Sequence, residues 1–307
     1  MKEVLEMLPK QIEHFIQDYK EDDGLEEIRI RIGRPLECIA RGEAHFYNYI
    51  VTREDAAYLL NKLSQYSLYT MEEELKRGYV TLRGGHRVGL AGKVIMEKSA
   101  VKMIRDVASF NVRIARQKKG IAEPLIPFLY DKHWLNTMII GPPQTGKTTL
   151  LRDVARLISA GVPRQHIPSC KVGIVDERSE IAGCVKGVPQ YEFGTRVDVL
   201  DACPKAEGMM MMIRSMSPDI LIVDEIGRPE DSEAIMEAVH AGVQLFTSVH
   251  GQGHEDILKR PSLRKIIELG VFERFIELSK IKGPGTIMNM KDGSGKPIRR
   301  GEKVLSG

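Results

Sequence analysis

The sequence predicts an α/β protein with a smaller α/β N-terminal domain and a C-terminal domain built on a sheet rich in parallel strands. Apolar and charged residues alternate over residues 25–32, which is typical of a strand with one buried face. After Trp134, short apolar runs recur between amphipathic stretches, which is typical of parallel strands buried on both faces. The 307 residues are enough to form two hydrophobic cores.

The elements of the N-terminal domain, expected over residues 1–116, follow from alternation, turn residues and helix capping. Thr52 and Asp55 have the spacing of a capping box, which predicts that a helix begins there. The strand at 25–32 is followed by a turn at Gly33 and by further predicted strands at 36–40 and 109–115, with a β-hairpin at 78–93.

Composition limits the class of protein. The chain is 42% hydrophobic and 28% charged, and no apolar run is long enough to span a bilayer. The N-terminus lacks the apolar core of a signal peptide. The four cysteines form no C-x-x-C pair, and no spacing of His and Cys indicates zinc. We therefore expect a cytoplasmic protein without a transmembrane segment of its own, whose thiols are reduced.

The positive charge is concentrated in one segment. Between Lys76 and Lys119 the chain has 12 Lys and Arg but only two acids, although the net charge of the whole chain is only +3. This basic segment is either an ordinary solvated face or a contact for nucleic acid, anionic lipid or phosphates at a subunit boundary.

The second half of the chain is expected to form a linker with a short helix over 117–134 and a core domain over 135–282. Predicted strands lie at 137–140, 172–175, 220–223 and 244–249. Residues 283–307, rich in Gly and Lys, are expected to be a basic tail with a short edge strand and then disorder.

A phosphate-binding loop is predicted directly after the first of these strands. The sequence GPPQTGKTT has the spacing G-x-x-x-x-G-K-[ST], and the apolar stripe that follows predicts a helix. Backbone N–H groups and the helix N-terminus would hold the phosphates, Lys147 would reach the β- and γ-phosphates, and Thr148 would ligate Mg²⁺. The candidate residues for binding ATP are Gly141, Pro142, Pro143, Gln144, Thr145, Gly146, Lys147, Thr148 and Thr149.

Acidic residues end two other predicted strands. Asp224 and Glu225 follow 220–223, and a strand beside the phosphate-loop strand would bring them to the nucleotide-binding edge of the sheet. Asp224 would then hold Mg²⁺, directly or through water, and Glu225 would polarise the attacking water. Asp176 and Glu177 end the strand 172–175, and His250 at the end of 244–249 is a candidate sensor of the γ-phosphate.

The order of these motifs resembles that of the secretion-type ATPases of type II and type IV secretion and pilus assembly. A phosphate loop (Walker A), an acidic strand end (DERSE), SPDILIVDEIGRPED (Walker B) and TSVHG (His box) follow one another as in that superfamily. The N-terminal stretches EIRIRIGRPLECIARGE and RGGHRVGLAGKV are similar to its sporulation family in endospore-forming bacteria. The resemblance implies a RecA-like P-loop ATPase core.

The same resemblance implies a hexameric, Mg-dependent ATPase in the mother-cell cytoplasm, peripheral to the membrane through partners. Those partners would be membrane-embedded channel proteins of the sporulation complex. It also implies that arginines from the N-terminal domain or a neighbouring subunit complete the site. Arg105 and Arg113 are the favoured candidates; Arg87 and Arg116 are the others.

The identity of the catalytic base and the class of activity stay open. Many secretion ATPases carry Gly where Asp224 stands, so the base that activates water is either Glu225, which we favour, or Glu177. The chain could instead be a nucleotide-gated assembly scaffold with little turnover, or a nucleic-acid-dependent ATPase, which the scarcity of aromatic residues in the basic segment disfavours. The residues after Lys282 are expected to be dispensable for ATP binding.

Overall fold

The computed structural model describes residues 1–17, 19, 24–64, 78–97 and 100–298. The chain forms two compact units, Met1–Arg116 and Gln117–Gly307. Mixed α/β structure with a sheet rich in parallel strands confirms the predicted fold class. No helix in the described ranges is both long enough and apolar enough to cross a membrane.

The first unit is built on a six-stranded antiparallel sheet with the order β3-β2-β1-β6-β5-β4. Helices α1 (Lys2–Met7), α2 (Lys10–Ile16) and α3 (Arg53–Ser64) contribute their apolar faces to the same core. The strands are β1 (Leu25–Arg31), β2 (Pro35–Ala40), β3 (Glu43–Ile50), β4 (Tyr79–Thr81), β5 (Arg87–Glu97) and β6 (Ala100–Arg113).

Local sequence accounts for the elements of this unit. Ile28 and Ile30 on β1 are fully buried, as the alternation predicts. Thr52 and Asp55 form a reciprocal pair at the start of α3: Thr52 N donates to Asp55 Oδ2 at 2.9 Å, and Asp55 N donates to Thr52 Oγ1 at 3.1 Å. The predicted hairpin is present as β4 and β5, although β5 runs further, to Glu97.

The second unit begins with short elements and continues into a seven-stranded sheet. A 3₁₀ turn (Glu123–Leu125) and α4 (Ile126–Leu129) precede the two-stranded pair β7 (Tyr130–Asp131) and β8 (His133–Trp134). The strands of the large sheet are β9 (Thr137–Gly141), β10 (Val172–Asp176), β11 (Val197–Asp201), β12 (Ile220–Val223), β13 (Gln244–His250), β14 (Arg274–Ser279) and β15 (Thr286–Asp292).

Helices surround this sheet because its strands β9, β10 and β12 are buried along their whole length. The helices are α5 (Lys147–Ala160), α6 (Lys205–Met216), α7 (Pro229–His240), α8 (His254–Ile257) and α9 (Pro261–Glu268). Two apolar clusters, one including Leu151 and Ile174 and the other Met209 and Ile235, form the core.

The strand order differs from the expectation in one respect. The sheet runs β11-β10-β12-β13-β9-β14-β15, so β13 lies between β12 and the phosphate-loop strand β9. The prediction that the strand before Asp224 lies beside β9 is therefore wrong, and β10 lies on the far side of β12. Apolar runs identify strands but carry no information on which strands are neighbours. Helix α7 connects β12 to β13, and this connection places β13 between β12 and β9.

The end of the chain contains an edge strand, as expected, but that strand belongs to the core sheet. Residues 286–292 form β15, which pairs antiparallel with β14, and Met290 on β15 is only 7% exposed. The sheet of the second unit therefore continues past Lys282. The boundary that was expected between core and tail falls between β14 and β15, which are paired in one sheet. The expected disorder concerns residues 299–307, which lie outside the described part of the chain.

Candidate functional site

The glycine-rich loop joins β9 to α5 and needs glycine at both ends. A Cβ atom at Gly141 would come within 2.5 Å of Thr145 Oγ1 and 3.2 Å of the Leu278 carbonyl oxygen. Gly146 has φ +89°, a conformation that disfavours other residues, and it is the N-cap of α5. Within the loop, Thr145 Oγ1 donates to the Pro142 carbonyl at 2.8 Å. This hydrogen bond closes the loop directly before the first turn of α5, whose backbone N–H groups face the loop.

Lys147 is held inside this loop. Its side chain is buried, and its Nζ lies 3.0 Å from the Pro142 carbonyl and 3.1 Å from His250 Nδ1. Burial lowers the pKa of Lys147, while the carboxylates of Asp224 and Glu225 act against that lowering. A buried ammonium whose nearest partners are a carbonyl and an imidazole is suited to binding an anion.

Thr148 and Asp224 meet across the sheet edge. Thr148 Oγ1 donates to Asp224 Oδ2 at 2.6 Å, and Ser248 Oγ donates to Asp224 Oδ1. Burial raises the pKa of Asp224 even though both hydroxyls favour its charged form. The described residues contain no cluster of three or more His, Cys, Asp or Glu side chains that could hold a metal by themselves. A hydroxyl and a half-buried carboxylate do fit Mg²⁺, which takes few protein ligands and completes its shell with water and phosphate.

Glu225 is fixed by its backbone and by two side chains. Its φ of +55° is unusual for a residue other than glycine, and its N–H donates to Ser248 Oγ at 3.0 Å. Its carboxylate accepts from His250 Nε2 at 2.6 Å and from Arg178 Nη1 at 2.7 Å. Glu225, His250 and Lys147 therefore form a continuous chain of polar contacts that ends in the phosphate loop.

The two acids at the end of β10, Asp176 and Glu177, have different surroundings. Asp176 is buried and accepts hydrogen bonds from the backbone N–H groups of Glu180, Ile181 and Ala182, so it shapes its own loop. Burial raises its pKa to about 6. Burial acts to raise the pKa of Glu177 too, but its ion pair with Lys205 outweighs this and lowers the pKa. Glu177 and Glu225 line a common small cleft.

The candidate arginines all lie in the first unit. The Arg87 guanidinium lies 3.8 Å from the centre of the Tyr79 ring, and Arg116 donates to the Leu25 carbonyl at 3.1 Å. Arg105 and Arg113 are both exposed on β6, and Arg113 lies 3.6 Å from Glu27.

Several residues at the site carry no recognisable motif. Ser248 contacts both Asp224 and the backbone of Glu225, but in the sequence it is only one of several polar residues on β13. Arg178 and Lys205 approach the carboxylates from separate segments that only folding brings together. The remaining loop positions differ in exposure: Pro143 and Gln144 are exposed, whereas Thr149 is half-buried.

Comparison with solved structures shows the fold of the chain. The pilus retraction motor PilT, solved with bound ADP, has a TM-score of 0.59 and 16% identity, covering 86% of this chain and 76% of that one. The ATPase DotB of Legionella pneumophila has a TM-score of 0.57 and 16% identity, covering 82% and 72%. The fold is therefore that of these two proteins.

Comparison of sequences identifies the family. The family model described as "Sporulation stage III, protein AA" matches residues 1–298. The curated "Stage III sporulation protein AA" of Bacillus subtilis (strain 168) is 59% identical over 302 residues, covering 98% of both chains. This chain belongs to the Sporulation stage III, protein AA family.

Proposed function

We propose that the chain is an Mg-dependent ATPase of the secretion type that powers or assembles the channel complex between mother cell and forespore. One observation carries the enzymatic part of the proposal. The contacts from Lys147 through His250 to Glu225 join the phosphate loop to a carboxylate. These contacts bring a cation that can bind the terminal phosphate and a carboxylate that can activate water into one site.

The phosphate loop binds the triphosphate, and Lys147 exchanges its contacts with Pro142 and His250 for oxygens of the β- and γ-phosphates. Thr148 and Asp224 would hold Mg²⁺, which neutralises charge that develops on the phosphates. Glu225 orients the attacking water and takes up its proton. His250 positions Glu225, and it responds to the terminal phosphate because it also contacts Lys147.

Arg105 and Arg113 complete the site from a neighbouring subunit of a hexamer. Both are exposed on β6; Arg113 also pairs with Glu27, and Arg87 and Arg116 have contacts within their own unit too. If an arginine neutralises the charge on the terminal phosphate only in the assembled ring, hydrolysis requires assembly. The ring would lie in the mother-cell cytoplasm, bound to the membrane through the channel proteins it drives.

Turnover of Mg·ATP by the wild type and by Lys147→Ala tests this proposal. The expected result is steady hydrolysis by the wild type and loss of about 100-fold or more in the variant, since a positioned charge stabilises the transition state. If the folded wild type, at concentrations where it oligomerises, turns over no faster than Lys147→Ala, the motor is ruled out in favour of a scaffold.

A further inference from the structure

The turn between β14 and β15, residues 280–285, packs against the phosphate loop. Gly285 N donates to the Thr145 carbonyl at 2.8 Å, and Lys280 Nζ donates to Gln144 Oε1 at 3.0 Å. A Cβ atom at Gly146 would lie only 3.1 Å from Gly285 N. We call these six residues the C-terminal turn; it forms one wall of the loop.

The C-terminal turn lies on the side of the loop opposite to the acids. Strands β13 and β12, which end at His250 and just before Asp224, follow one another on one side of β9, and β14 is the neighbour of β9 on the other side. Since β14 is parallel to β9, its carboxyl end and the turn lie at the same sheet edge as the loop. If the terminal phosphate lies at Lys147 and Glu225, the C-terminal turn is therefore the wall of the loop on the side away from that phosphate.

The turn has a defined shape and an exposed apolar side chain. Thr286 Oγ1 donates to the Gly283 carbonyl at 2.7 Å, and Gly283 N donates to the Lys280 carbonyl at 2.9 Å. Gly283 and Gly285 have φ values of +97° and +89°, which a residue with a side chain would adopt only with strain. Ile281 is 73% exposed at the tip, the highest exposure among the large hydrophobic residues of the described chain.

We propose that the C-terminal turn is the base-binding wall of the nucleotide site, with Ile281 packing against the face of the purine ring. Ligand pockets combine apolar contacts with a few fixed polar groups, and here the phosphate loop supplies the polar groups. Lys280, anchored on Gln144, adds positive charge beside the phosphates nearest the base. This inference rests on the proposed function, namely that the loop binds ATP.

Calorimetric titration with two ligands tests the assignment: Mg·ATP, which has a base, and Mg-tripolyphosphate, which has none. The variant Ile281→Ser removes the apolar face without adding charge. Its affinity for Mg·ATP is expected to fall about tenfold, since roughly half of an isoleucine side chain loses its apolar contact. Its affinity for tripolyphosphate is expected to equal that of the wild type. The matched control is Leu269→Ser, which removes an exposed leucine (59%) after α9 and should change neither affinity.

The inference is overturned if Ile281→Ser binds Mg·ATP as tightly as the wild type does. Equal weakening for both ligands also overturns it, because the substitution would then act through the phosphate loop. Retained tripolyphosphate binding shows that the variant is folded. If the wild type binds neither ligand, the ATP-binding proposal itself fails. A wild type that binds both ligands, with Ile281→Ser unchanged, rejects the base-binding wall alone.

Discussion

Glu225 and Glu177 both follow an apolar strand, yet their surroundings differ. Glu225 contacts His250, which contacts Lys147, whereas Glu177 is neutralised by Lys205. A general base must reach the water beside the terminal phosphate, and only Glu225 is connected to the phosphate loop in this way. The structure therefore gives a physical reason to prefer Glu225, which sequence alone left open against Glu177.

Exchanging each carboxylate for an amide shows which of the two glutamates is the general base. Glu225→Gln is expected to lower the turnover number by about 100-fold or more while Mg·ATP affinity stays near the wild-type value, since the amide cannot accept the proton. Glu177→Gln, the matched control, should retain most of the turnover. Steady-state hydrolysis and a binding titration measure both quantities. A larger loss of turnover in Glu177→Gln than in Glu225→Gln would reverse the assignment.

His86 is expected to make the stability of the first unit depend on pH. It is buried, its Nδ1 accepts a hydrogen bond from Ala115 N at 3.0 Å, and burial lowers its pKa to about 4. In the unfolded chain the pKa of His86 is about 6.5. Between about pH 6.5 and pH 4 the unfolded chain therefore binds more protons than the folded one. Stability is thus fully present above about pH 6.5 and is lost as the pH falls towards 4, by up to roughly 3 kcal/mol.

Thermal unfolding followed between pH 4 and 7 measures this effect. In the variant His86→Gln, the side-chain oxygen can still accept from Ala115 N but does not titrate. Its midpoint temperature is therefore expected to change less over that range than the midpoint of the wild type does. Identical pH profiles for the two proteins would show that His86 is not the group responsible.

At the scale of secondary structure, β15 is the edge strand expected in the tail, but the sequence did not show that it belongs to the core sheet. Gly and Lys dominate the residues around it, so composition favours a tail, whereas its pairing with β14 and the burial of Met290 are tertiary features. Because the C-terminal turn leads directly into β15, we no longer expect the residues after Lys282 to be dispensable for ATP binding.

Two methionines on β15 test whether the strand belongs to the core. Met290 is 7% exposed and Met288 is 49% exposed, two positions apart on the same strand. Met290→Ala is expected to lower the free energy of unfolding by about 2–4 kcal/mol, the usual effect of truncating a buried methionine. Met288→Ala should change it little. Chemical denaturation of both variants measures the difference, and equal stabilities would mean that β15 contributes nothing to the core.

The sequence predicted individual elements well and their arrangement less well. The runs before Gly141, Asp176 and Asp224 are strands because continuous apolar stretches must be buried on both faces. The phosphate loop was evident because its spacing reflects a local backbone requirement. The position of β13 beside β9 depends on contacts between distant segments, and so do the approaches of Ser248 and Lys205 to the acids.

At the scale of the whole molecule, the proposed hexamer makes each site depend on two subunits. Mixing inactive variants tests this. Lys147→Ala and Arg105→Ala are each expected to lack turnover alone. Random equal mixing should pair an intact phosphate loop with an intact neighbouring arginine at about one quarter of the sites, and restore about that fraction of the activity. Arg113→Ala is tested in the same way.

The control mixture combines Lys147→Ala with Glu225→Gln. Both residues belong to the same subunit's site, so no site in this mixture is complete and no activity should return. Recovery in the control, or none with either arginine variant, would contradict a site shared between subunits.

Both proposals require that the loop at 141–149 binds the triphosphate of ATP beside Thr148, Asp224 and Glu225. Calorimetric titration of Mg·ATP into the folded wild type and into Lys147→Ala tests this most directly. The wild type is expected to show a saturable heat of binding that is lost or strongly weakened in the variant. No heat at millimolar Mg·ATP with the wild type, or equal binding by both proteins, would contradict it.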